Sequence, residues 1–74
     1  MKLKGAYIYT EDTLYGGTKS YPSLKQACLA LSKVPNDKRD YMLLCIGSRN
    51  LDYMKVNETF EDYYQRMLDM VAKI

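Results

Sequence analysis

Histidine and tryptophan are absent from this chain, phenylalanine and proline are scarce, and only two cysteines occur. Without histidine, a serine or cysteine nucleophile lacks its usual base and a zinc site lacks its usual nitrogen ligand. Cys28 lies among apolar residues at helical spacing and Cys45 inside an apolar run. Both read as core positions and not as nucleophiles, and buried free thiols in a reducing compartment fit them better than the alternative, a disulfide. The adjacent carboxylates Glu11-Asp12 and Glu61-Asp62 point in different directions on a strand or helix, so neither pair forms a cooperating acid and base. Gly16-Gly17 lacks the flanking Gly and Lys-Ser/Thr of a phosphate-binding loop. No apolar stretch approaches the roughly 18 residues of a membrane span, and Met1-Lys2-Leu3-Lys4-Gly5 is not followed by the apolar core of a signal peptide. The expectation is a cytoplasmic protein that is not an enzyme, has no cofactor or metal, and does not enter a membrane.

Seventy-four residues suffice for one domain spanning 1–74, and at this size only about 60% of the unfolded surface is buried on folding. Net charge is +2. Its distribution is uneven: residues 1–57 carry nine Lys or Arg against five Asp or Glu, and residues 58–74 carry two against four. Eight tyrosines accompany a single phenylalanine. Tyrosine is favoured where a surface is both apolar and wet, as at protein interfaces and stacking platforms.

Tyr21-Pro22-Ser23-Leu24-Lys25-Gln26 is the clearest local instruction, because Ser23 and Gln26 have the spacing of a helix capping box. Leu24, Ala27, Cys28 and Leu31 then fall on one stripe, which predicts a helix from Leu24 that Pro35 closes. Phe60, Tyr63, Tyr64, Met67, Leu68, Val71 and Ile74 form a second stripe, with Asn57 or Thr59 as its cap. Strands are expected over Leu3 to Thr10, Thr18 to Tyr21, Tyr41 to Ile46 and Leu51 to Val56. Between them lie the polar connector Asn36-Asp37-Lys38-Arg39 and the turn Gly47-Ser48-Arg49-Asn50. The order β-β-α-β-β-α with short connections implies an α+β two-layer sandwich: a four-stranded, largely antiparallel sheet with two amphipathic helices on one face. Leu31 and Met67 should then be buried between the layers. If Ala6, Ile8, Met54 and Val56 face the helices, Tyr7, Tyr9, Leu51 and Tyr53 form an aromatic and aliphatic patch on the opposite face.

Lys4-Gly5-Ala6-Tyr7-Ile8-Tyr9 resembles the aromatic RNP1 strand of RNA-recognition motifs, but it is one residue short and lies at the start of the chain, where that strand does not belong. Tyr7-Ile8-Tyr9, a polar turn, Tyr21 to Ala27 and then Leu31 resemble the small modular DNA-binding repeats found beside homing-endonuclease nuclease domains. That likeness covers about a third of the chain, and residues 41–74 depart from the modules. It implies DNA contact through Lys25, Lys33, Lys38 and Arg39. In size and composition the chain is also similar to accessory proteins of bacteriophages and mobile elements that bind and inhibit a host enzyme or defence complex. The low net charge and acidic last helix disfavour phosphate neutralisation. The preferred expectation is therefore a binding protein whose partner is a protein, with Tyr7, Tyr9, Leu51 and Tyr53 as its site. A nucleic-acid-binding module is the alternative, a homodimer is compatible with either, and Glu61, Asp62 and Asp69 offer an acidic surface as a further candidate.

Overall fold

The computed structural model describes residues 8–73. Four strands, β1 (Ile8–Asp12), β2 (Thr18–Tyr21), β3 (Met42–Ile46) and β4 (Arg49–Tyr53), and two helices, α1 (Leu24–Ser32) and α2 (Phe60–Ala72), follow the expected order. The sheet is antiparallel throughout, with strand order β2-β1-β3-β4. Helix α1 carries the chain from β2 past β1 to β3 and packs against β1 and β2, while α2 packs against α1 and β4. The result is the α+β two-layer arrangement.

Each helix starts where a hydroxyl satisfies a free backbone N–H. Ser23 accepts from the Gln26 amide and Thr59 from the Asp62 amide, both at 3.2 Å. All four residues of the first stripe, Leu24, Ala27, Cys28 and Leu31, are buried, as are Tyr63, Met67 and Val71 of the second. They meet Ile8, Leu44, Ile46, Leu51 and Met54 in one core. Leu68 stays at the exposed margin of its stripe.

The β3–β4 connection is tighter than expected. Ile46 pairs directly with Arg49, leaving the two-residue turn Gly47-Ser48, with Gly47 at φ +60°, the position of a type II′ hairpin that glycine occupies without strain. A bulge then places two residues of β4, Leu51 and Asp52, opposite the single residue Leu44, between the pairs Cys45↔Asn50 and Leu43↔Tyr53. One extra residue inverts the alternation beyond it. Leu51, expected on the outer face beside Tyr53, instead joins the core. The strand also stops at Tyr53 rather than Val56, so Met54 is buried while Val56 lies exposed in a turn.

That turn is fastened to the connector before β3, which is a 3₁₀ segment, Asn36–Tyr41. Asn57 adopts φ +62°, which asparagine tolerates better than most residues. The Asn57 amide donates to Asn36 Oδ1 at 3.0 Å and Asn36 Nδ2 donates to Asn57 Oδ1 at 2.9 Å.

Candidate binding surfaces

Alternation along β1 and β3 sends Ile8, Leu44 and Ile46 into the core and turns Tyr9, Glu11, Leu43 and Cys45 to the helix-free face. Cross-strand pairing extends that face: Tyr9 sits opposite Ser20 and Cys45, Leu43 opposite Glu11 and Tyr53, and Cys45 opposite Asn50. Tyr9, Glu11, Leu43 and Cys45 therefore lie on the two central strands of that face, with Thr18 and Ser20 on one edge strand and Asn50 and Tyr53 on the other. Of the expected patch, Tyr9 and Tyr53 are here and half-buried, Leu51 is in the core, and Tyr7 lies outside the described residues. Leu43 and Cys45 belong to this side of β3 but are buried. The run Met42–Ile46 signalled them, since an unbroken apolar strand has two apolar faces.

Both aromatic positions are held. Tyr9 makes a hydrogen bond to the Cys45 thiol that offsets part of the desolvation raising the thiol's pKa. The same thiol lies 3.5 Å from Asn50 Oδ1. Tyr53 is held by its backbone: Arg66 Nη2 donates to its carbonyl at 2.9 Å, and Arg66 also grips Glu58 through Nε at 3.0 Å and Nη2 at 2.8 Å and forms an ion pair with Asp52. The Arg66 guanidinium holds the Glu58 carboxyl below its ordinary value. Burial pushes the pKa of the Cys28 thiol up to about 12.

The cationic set is divided by burial. Lys25, Lys33 and Lys38 are exposed, but Arg39 is buried. Its Nη2 donates to Ser32 O and Nε to Val34 O, both at 3.2 Å, and its Nη1 donates to Lys55 O at 2.8 Å and Glu58 O at 3.1 Å. Arg39 thus neutralises the negative end of α1 and holds the 54–59 loop. Glu61, Asp62 and Asp69 are all exposed on α2.

A second apolar surface went unanticipated. The β1–β2 loop is ordered: Asp12 Oδ1 accepts the amides of Leu14 and Tyr15 at 2.9 Å, and Thr13 donates its amide and hydroxyl to Tyr41 O at 2.8 and 3.1 Å. Yet Tyr15 is 82% exposed and Leu14 51%. Between this loop and the 3₁₀ segment opens a cleft of about 460 Å³, floored by Val34, Pro35 and Met42, walled by Tyr41, with Asp37 and Lys38 on its rim. Two large apolar residues set in an otherwise polar turn were the available signal. Among the described residues no group of three or more Cys, Asp or Glu side chains is arranged to hold a metal, and no helix is long and apolar enough to cross a membrane.

The fold and these surfaces define a small α+β two-layer domain with apolar surface outside its core. Comparison with protein-family models, with curated proteins and with solved structures finds no match.

Proposed function

We propose that this chain is a small non-enzymatic binding protein, an inhibitor or regulator of the kind carried by phages and mobile elements, that occludes a protein partner with the helix-free face of its sheet. One observation carries the reading: β3 is apolar on both faces, yet both helices lie on one side of it. The other face offers Tyr9 and, on its edge strand, Tyr53 as half-buried rings with Glu11, Thr18, Ser20 and Asn50 beside them, and aromatic groups in polar surroundings are favoured at protein interfaces. Tyr9 is engaged by the Cys45 thiol before any partner arrives, and a tyrosine ring has few rotatable bonds to immobilise on docking.

Nucleic acid is the weaker partner class because the burial of Arg39 leaves three lysines, Lys25, Lys33 and Lys38, of the four cations that reading needs. Affinity capture from a nuclease-treated bacterial lysate tests the choice. A defined protein should be retained, and its affinity should change less than about tenfold between 50 and 200 mM salt. A contact to six to ten phosphates would lose about 10³–10⁵ over that range. Disappearance of all partners on nuclease treatment would overturn the reading.

A further inference from the structure

The cleft beside the β1–β2 loop joins aromatic residues to negative charge that the chain itself does not neutralise. Tyr15 and Tyr41 line it together with the apolar Val34, Pro35 and Met42, and the acidic residues Asp12 and Asp37 belong to the same lining. Its volume of about 460 Å³ suits a small molecule, for which pockets of roughly 300–1,000 Å³ are usual. Neither carboxylate is committed to a cation, because the ion pairs among the described residues run from Arg66 to Asp52 and Glu58. Asp12 is also fixed in place: its Oδ1 accepts the Leu14 and Tyr15 amides at 2.9 Å, which leaves Oδ2 for a further partner. We infer that the cleft is a binding site for a small organic cation, an ammonium or quaternary ammonium group carrying an apolar body.

Charge and ring chemistry decide the ligand class. The lining holds two carboxylates against one ammonium, that of Lys38. An anion would meet net negative charge, and a neutral apolar ligand would gain nothing from either carboxylate. A cation gains from both carboxylates and from the negative faces of the tyrosine rings, an attraction worth about two- to fivefold in affinity per ring at exposed sites. Lys38 opposes it weakly, since the residue is exposed and its flexible aliphatic stem can carry the ammonium into solvent. With two rings and two solvent-facing carboxylates, affinity for a small probe should be modest, with a dissociation constant on the order of 1 mM.

NMR titration of the whole chain with benzyltrimethylammonium, following the amides of Leu14, Tyr15, Tyr41 and Met42, tests the inference. These signals should shift saturably, and tetramethylammonium, which has no ring to cover the apolar floor, should bind more weakly by about threefold or more. Choline should bind about fivefold or more tightly than 3,3-dimethyl-1-butanol, which has its shape without its charge. Tyr15→Leu, Asp37→Asn and Asp12→Asn, the last keeping the oxygen that caps the loop, should each weaken binding by about twofold or more with unchanged melting, while Lys38→Ala should tighten it. Tyr53→Ser should leave it unchanged, so the fate of this site is separable from that of the partner-binding face. Equal binding of choline and its uncharged isostere overturns the inference, as does a preference for benzenesulfonate or the absence of any saturable shift. A short arginine-bearing peptide that displaces benzyltrimethylammonium at a much lower concentration would assign the cleft to a protein side chain and overturn it as a small-molecule site.

Discussion

Lys38 and Arg39 are neighbours in a connector that reads as uniformly solvated, and the fold uses them in opposite ways. Lys38 projects into water; Arg39 turns inward and donates to four carbonyls from two segments, the end of α1 and the 54–59 loop. Nothing local separates the two, because what selects Arg39 is the arrival of the 54–59 loop from elsewhere in the chain. Arg39→Met should therefore cost ~2–4 kcal/mol in chemical denaturation, since four carbonyls lose a charged donor. Arg39→Lys should recover only part of this, a point charge being unable to reproduce the fork. Lys25→Ala and Lys33→Ala should stay within about 0.5 kcal/mol of wild type.

Glu58 makes a pH prediction at the same scale. Hydrogen bonds from Arg66 lower its folded-state pKa below the ordinary value of 4.5. Its contribution is therefore complete above about pH 4.5 and is lost as pH falls through the lower folded value. Denaturation midpoints should drop on acidification below that point, and Glu58→Gln should flatten this limb while lowering stability at pH 7. The thiols behave as core atoms: Cys28 and Cys45 should label slowly with a thiol reagent in the native state and fast in denaturant, because each is buried and burial raises its pKa. Rapid native labelling of Cys28 would contradict its placement.

Among the elements, α1 is the one whose sequence and structure agree throughout. Its cap, its stripe and its stop were all local, so they were readable before any tertiary contact was known. Leu31→Ala should cost ~2–5 kcal/mol, most of the stability available to a domain of this size, and Ser23→Ala about 1 kcal/mol. Equal midpoints for Leu31→Ala and wild type would mean the buried stripe is wrong. Strand β4 shows where legibility ended. Its residues have β-forming character, but the bulge that sends Leu51 inward is set by pairing with β3 and by the grip of Arg66 on Asp52 and the Tyr53 carbonyl, neither of which leaves a periodicity in the chain. The Leu14-Tyr15 loop was hidden for a different reason: Asp12 and the glycines announce a turn, and a turn says nothing about which side chains it will display.

At the scale of the whole molecule, two apolar surfaces flank one small core. The helix-free face, on which the half-buried Tyr9 and Tyr53 lie beside the buried Leu43 and Cys45, is the proposed docking surface for a protein partner. The most direct test of the central claim is the affinity of the captured partner for Tyr53→Ser, measured beside the melting temperature. Loss of an interface anchor predicts weakening of about 30-fold or more, equivalent to ~2 kcal/mol, while the variant still melts within ~4–8 °C of wild type. A well-folded Tyr53→Ser that binds within about twofold of wild type, well short of the ~2 kcal/mol an anchor carries, would contradict the assignment of the sheet face as the functional surface.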